Sequence, residues 1–232
     1  MKIKAIFFDL DDTLHDHQKP FSDSFQQIFP SFPKEFSIES VCKTFRHTSD
    51  LLWENYIRKE LTLEELRIQR IIQALKSYDF TISREAAQIF QLQYEKALTS
   101  IELFPEAPQI LTKLSQMGFE LGVITNGPTQ HQSNKIQALG LTRYISSDRI
   151  FISDQIGIAK PDPNIFHEAA KKFSFSPENF LYIGDSWAND VVGANQAGWH
   201  AIWFNHRKRQ PESHHKPLRE IQVLSSMIEV LD

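Results

Sequence analysis

The feature that most constrains this chain is the apolar run Ile3-Lys4-Ala5-Ile6-Phe7-Phe8 closing directly on Asp9-Leu10-Asp11-Asp12-Thr13. A β-rich run that ends in carboxylates two residues apart predicts a buried strand presenting chemistry at its C-terminal edge, where open α/β sheets bind their ligands. Gathering like charges at a buried edge is expensive unless a cation or a shared proton compensates. The cluster therefore points to a metal site, set against the plainer reading of a solvated acidic turn.

Glycine usage divides the chain. All eight glycines lie at or after Gly118. Strand–helix turns of an α/β fold use glycine, whereas a helical bundle can do without it. From about Phe21 to Ser100 the apolar spacing is helical. Thr62-Leu63-Glu64-Glu65 opens one helix as a capping box, and Ser37 and Ser83 are N-cap candidates for two more. After Pro105, strand-like runs (Glu120–Thr125, Arg149–Ser153, Phe180–Gly184, His200–Asn205) alternate with helical ones (Ala107–Met117, Thr129–Leu139, Asn164–Phe173, Val191–Ala197). Alternation of this kind predicts right-handed crossovers and a parallel sheet. Ile3–Phe8 adds a fifth strand from before the helical stretch. The expected organisation is a discontinuous α/β core, residues 1–17 and 101–232, with an inserted helical domain, 18–100.

Composition excludes several classes. The formal net charge is -4, which gives no basic footprint for a nucleic-acid polymer. No stretch of about 18 apolar residues predicts a membrane span. Asp9, Asp11 and Asp12 interrupt any signal-peptide core, and Cys42, the single cysteine, permits no internal disulfide; Cys42 reads as a buried helical residue, and the whole fits a reducing cytoplasm. The run His206-Arg207-Lys208-Arg209 reads as a solvated loop, and His206, His214 and His215 as surface residues in preference to a second metal site.

Three other strand ends carry residues capable of chemistry. Thr125-Asn126-Gly127 offers a hydroxyl and an amide. Lys160 stands before Pro161, which can open a helix and so place the lysine at its positive end. Gly184-Asp185 is followed by Asp190, which sets two carboxylates across a strand end and a helix start. Four carboxylates, a hydroxyl and a lysine at one sheet edge suit Mg²⁺ and phosphoryl transfer to a carboxylate.

This order of motifs resembles the haloacid dehalogenase (HAD) superfamily, whose pattern D-x-D-x-T, S/T, K and G-D-x-x-x-x-D is met by Asp9/Asp11/Thr13, Thr125, Lys160 and Gly184/Asp185/Asp190. The resemblance implies a Rossmann-like three-layer core with sheet order 5-4-1-2-3 and a type-1 helical cap. It also implies roles: Asp9 as nucleophile; Asp11 as acid, then base; Asp9, Asp185, Asp190 and the Asp11 carbonyl as Mg²⁺ ligands; Thr125, Asn126 and Lys160 as holders of the phosphoryl oxygens. The expected activity is hydrolysis of small soluble phosphate monoesters through an aspartyl-phosphate. A carboxylate at Asp11 disfavours the dehalogenases and phosphonatases of the superfamily. A sugar phosphomutase and a non-catalytic binding module are the alternatives. The mutase type has a histidine twelve residues after its nucleophile, where this chain has Phe21, and a cap glycine, which this chain lacks. The segment from Trp53 to Arg70 is also similar, more loosely, to house-cleaning nucleotidases of the superfamily. Within it Trp53 and Tyr56 read as helix packing and Arg67 and Arg70 as a solvated face, with substrate contact the competing reading.

Overall fold

The computed structural model describes residues 2–231, apart from the side chains of Glu54 and Ile57. The chain forms two compact units, residues 1–16 with 101–232 and residues 17–100.

The first unit is built on six parallel strands: β1 (Ala5–Phe8), β2 (Glu120–Thr125), β3 (Ile150–Ile152), β4 (Phe180–Gly184), β5 (His200–Phe204) and β6 (Arg219–Ile221). Their order is β3-β2-β1-β4-β5-β6. The expected five-strand order is therefore present, extended by a sixth strand at the edge. β6 escapes sequence reading because it is three residues long and two of them are charged, Arg-Glu-Ile, with both charged residues exposed.

Both faces of β1 are buried, as a central parallel strand requires. Ile6 and Phe8 point into one core, with Leu111, Leu114, Val123, Ile183 and Met227. Ala5 and Phe7 point into the other, with Ile124, Phe166, Tyr182, Trp199 and Trp203. Phe7 lies so close to β2 that a Cβ on Gly122 would fall 2.1 Å from its ring, so residue 122 has no room for a side chain.

The second unit holds α1 (Lys19–Ile28), α2 (Ile38–Ile57), α3 (Leu63–Lys76) and α4 (Arg84–Leu98). Thr62 and Ser83 cap α3 and α4, accepting from the backbone N–H of Glu65 and Ala86. The reciprocal half of the expected capping box is absent: the Glu65 carboxylate accepts from Gln69 and Arg84. The interior is aromatic, with Phe21 and Phe90 packed on each other and each on Phe25 and Phe45, and Cys42 is buried in the same cluster. Trp53 is exposed and rests on Tyr56. Arg67 forms an exposed ion pair with Glu95. Arg70 departs from the expected solvated face. Its guanidinium lies 4.4 Å from the Phe45 ring centroid and donates to Gln91, and burial lowers its pKa.

The sheet unit's helices are α5 (Ala107–Gln116), α6 (Thr129–Ala138), α7 (Ser153–Ile156), α8 (Pro163–Ala170) and α9 (Gly193–Gln196). A π-helical turn, Trp187–Val192, precedes α9 and begins four residues before the expected helix. That turn carries Asp190. Among the described residues no helix is long and apolar enough to cross a membrane.

Candidate active site

Parallel strands all finish at one edge of the sheet, so β1, β2 and β4, adjacent in the order, bring Asp9, Thr125 and Asp185 to one place. Hydrogen bonds between the strand ends lock the register. The Asp9 N–H donates to Ile183 O at 2.9 Å, and the Asp185 N–H donates to Thr13 Oγ1 at 3.1 Å. Thr13 is fully buried, so the last residue of the first motif is a structural tie between β1 and β4. Asp12 adopts a left-handed backbone, φ 61°, which turns the chain sharply after Asp11. Asp12 N–H donates to His15 O across this turn.

The carboxylates of Asp9, Asp185 and Asp190 each place one oxygen within 4.8 Å of the others. Among the described residues this is the group able to do so; His206 bonds instead to Asp12 O, and His215 to Ser213. Close approach of Asp190 depends on Gly184, since a Cβ there would fall 2.2 Å from the Asp190 carboxylate. Ser186 N–H fixes Asp190 Oδ2 at 2.9 Å.

Lys160 enters from the loop after β3 and is buried, not solvated. Its Nζ donates to Asp9 Oδ1 at 2.7 Å, Asp190 Oδ1 at 2.6 Å and Tyr182 Oη at 2.7 Å. Tyr182, from β4, donates its own hydroxyl hydrogen bond to Ile124 O. The Lys160–Pro161 peptide is cis. Asn126 secures the lysine's backbone with both ends of its amide, at 2.9 Å each way. Its side chain thus positions Lys160.

Burial dominates the electrostatics. It raises Asp9 to about 7 against the pull of Lys160, with the charges of Asp190 and Asp11 raising it further. Burial raises Asp185 to about 8, with Asp190 and Asp9 adding to the effect and Arg209 opposing it. Burial alone would lower Lys160, but Asp190 and Asp9 outweigh it and hold the ammonium well above its ordinary value. The site therefore carries more buried carboxylate than its lysine balances. Three closely spaced, oxygen-only donors with a deficit of positive charge fit a hard divalent cation.

Several contributors were not legible as site residues. Arg207 makes a bidentate pair with buried Asp12, at 2.8 and 2.6 Å, and reaches Asp16 at 3.2 Å. Arg209 Nη1 reaches Asp185 Oδ2 at 2.9 Å. The basic loop after β5 is therefore no solvated surface run; it is drawn in by the acidic edge. Asn205 holds the loop by bonding both backbone atoms of Arg209.

Asp11 is gripped by Lys135 Nζ at 2.7 Å from both carboxylate oxygens, by Gln132 Nε2 at 3.2 Å and by His15 Nε2 at 2.8 Å. The signal for the helix-borne pair is in the sequence. α6, Thr-Gln-His-Gln-Ser-Asn-Lys-Ile-Gln-Ala, has almost no apolar face, yet it must lie on the sheet. Gln132 and Lys135, three apart, share the buried side with Ile136. A buried lysine almost always has a partner.

Lys160→Met tests whether this lysine is the internal counter-charge. It leaves Asp9 and Asp190 buried without their shared cation, so metal-free protein should lose about 3–5 kcal/mol of unfolding free energy. Urea denaturation in EDTA measures it, and a loss below about 1 kcal/mol, the value of a surface pair, would show that the lysine is not the counter-charge.

A parallel α/β sheet with a nucleophile-capable carboxylate, a buried lysine and a divalent-cation donor set at its C-terminal edge defines a hydrolase of the phosphoryl-transfer type. The family model of haloacid dehalogenase-like hydrolases matches residues 3–198, and the chain belongs to that family. Relatives include a glyceraldehyde 3-phosphate phosphatase of Methanopyrus kandleri, 28% identical over 216 residues, covering 90% of this chain and 86% of that protein. A pyrimidine 5'-nucleotidase, PynA, of Streptococcus pneumoniae is 25% identical and covers 100% of this chain and 96% of the relative. Among solved structures, YfnB of Bacillus subtilis bound to magnesium superposes with a TM-score of 0.72 at 24% identity, over all of both chains.

Proposed function

We propose that the protein is a Mg²⁺-dependent phosphatase of small soluble phosphate monoesters, nucleoside monophosphates among them, working through a phosphorylated Asp9. The observation that carries this reading is Asp9 itself. Its Oδ1 is held by Lys160, while its Oδ2 makes no hydrogen bond to a described residue and is free to attack. Asp11, two residues on, adds a second carboxyl group suited to proton transfer. The names of the phosphatase and nucleotidase relatives support the same class of substrate.

In the first half-reaction an Asp9 oxygen attacks phosphorus in line, the phosphorus–oxygen bond to the leaving group breaks, and Asp11 gives its proton to the departing oxygen. In the second, Asp11 takes a proton from water as that water attacks phosphorus, and the electron pair of the broken bond returns to Asp9. Two easier displacements replace one difficult one. Lys160, with the Thr125 hydroxyl, stabilises charge on the transferring group. Asp9, Asp185, Asp190 and the Asp11 carbonyl would hold Mg²⁺, which would supply the remaining positive charge. Asn126 acts through Lys160.

Hydrolysis is favoured over a mutase outcome. The position where the mutase type has a histidine holds Phe21, fully buried in the aromatic interior of the helical unit.

Phosphate release from a panel of sugar, triose and nucleoside monophosphates, with p-nitrophenyl phosphate as generic ester, tests the proposal. At least one natural ester should be turned over with kcat/KM of about 10⁴ M⁻¹s⁻¹ or better, in the ordinary enzyme range. Absence of Mg²⁺-dependent phosphate release from every ester would overturn it in favour of a binding module.

A further inference from the structure

The residues so far assigned leave α6 unexplained. It turns a glutamine and a lysine inward, and both are more than nine-tenths buried. Neither faces the three-carboxylate cluster. Both converge on Asp11, whose side chain remains 27% exposed. We propose that Lys135 and Gln132 are positioning residues that hold the Asp11 carboxylate aimed for its water-activating step, an inference that rests on the phosphatase reading above.

The geometry carries it in three ways. First, Lys135 Nζ is 2.7 Å from each oxygen of Asp11, so it fixes the rotation of the carboxylate. Lys135 Nζ and Gln132 Nε2 both present donors to Asp11, which suits a carboxylate that is about to accept a proton. Second, Gln132 spends its other N–H on Thr125 Oγ1, at 2.6 Å. With that oxygen's acceptor role taken, the threonine's own proton is left to donate to a phosphoryl oxygen. One amide therefore fixes the acid–base residue relative to the phosphoryl-holding hydroxyl. Third, Gly127, φ 142°, leaves the space that Gln132 occupies: a Cβ there would fall 3.1 Å from Gln132 Cγ. His15, buried, lies 2.8 Å from Asp11 Oδ1 as well.

The step affected is the second one. Water attacks phosphorus on Asp9, its proton passes to Asp11, the phosphorus–Asp9 oxygen bond breaks with its electrons returning to Asp9, and phosphate leaves. Loss of Lys135 should slow this step while sparing transfer from an ester whose leaving group needs no proton.

p-Nitrophenyl phosphate with Mg²⁺ isolates the effect. In a two-step covalent mechanism kcat/KM reports phosphorylation of Asp9, whereas kcat reports its hydrolysis when that second step is the slower. Lys135→Met should lower kcat about tenfold or more, as loss of a supporting contact commonly does. KM should fall in parallel, keeping kcat/KM within about twofold of the wild type. Rapid mixing should show a burst of nitrophenolate approaching one per active site, and Lys135→Arg should restore most of kcat. Should Lys135→Met not fold, Lys135→Gln, whose shorter side chain loses the contact to both Asp11 oxygens, should give the same split. An unchanged kcat, a kcat/KM that falls as far as kcat, a missing burst, or failure of both variants to fold would each overturn the inference. A wild-type protein inactive on every ester counts instead against the phosphatase reading.

Discussion

Asp9→Asn should lower kcat by a factor on the order of 10⁴–10⁶, the scale seen when a covalent nucleophile is removed. The amide keeps the carboxylate's shape and one oxygen able to accept from Lys160 Nζ, now 2.7 Å away. It cannot attack phosphorus usefully, because the nitrogen's lone pair is delocalised and the oxygen carries no charge. The substitution should not unfold the protein. Asp9 is buried, and its burial together with the charges of Asp190 and Asp11 opposes ionisation, so a neutral side chain relieves a cost the native site bears. The expected pattern is a folded protein of near wild-type melting temperature with turnover close to none. Turnover within about tenfold of the wild type would rule out attack by Asp9 and leave direct attack by water as the route.

Removal of divalent metal should abolish turnover, and Mg²⁺ should restore it. The accompanying stability change has a definite sign. Asp9 and Asp185 release their protons near 3.8 when the chain is unfolded, but near 7 and 8 in the metal-free fold, chiefly because they are buried. Between those limits the folded state binds more protons than the unfolded one, so metal-free stability declines as pH rises from about 4 to about 8. Below about pH 4 both states are protonated and the decline vanishes. A bound cation replaces the missing protons. The rise in melting temperature on adding Mg²⁺ should therefore be larger at pH 8 than at pH 5, measured by differential scanning calorimetry in EDTA and in excess Mg²⁺. Equal gains at both pH values, or full turnover in EDTA, would contradict assignment of the cation to Asp9, Asp185 and Asp190.

The basic loop and α6 explain why these two experiments centre on residues readable in the sequence while others were not. Asp9, Asp185 and Lys160 were legible because each stands at the end of an apolar run or beside a proline, and a parallel sheet sends every such end to the same edge. Asp190 followed from its fixed distance to Asp185. In contrast, Arg207 and Arg209 sit in a polar stretch, and nothing local distinguishes an arginine paired with a buried aspartate from one in water. Arg70 is the same case inside the helical unit, where the Phe45 ring faces it from another helix. β6 was invisible because edge pairing with β5, and not an apolar pattern, makes it a strand.

The sequence by itself determined the strand–helix alternation, the insertion of a glycine-free helical unit after the first strand, and the residues delivered to the sheet edge. These follow from local periodicity and from the direction of parallel strands. Only the tertiary structure decided which carboxylates share the lysine, which way the Asn126 amide turns, and that Gln132 and Lys135 converge on Asp11. Those choices depend on contacts between residues far apart in the chain, such as Lys135 and Asp11, 124 positions apart. Burial makes such pairing compulsory, since a charge taken from water must find its partner wherever the fold has brought one within reach.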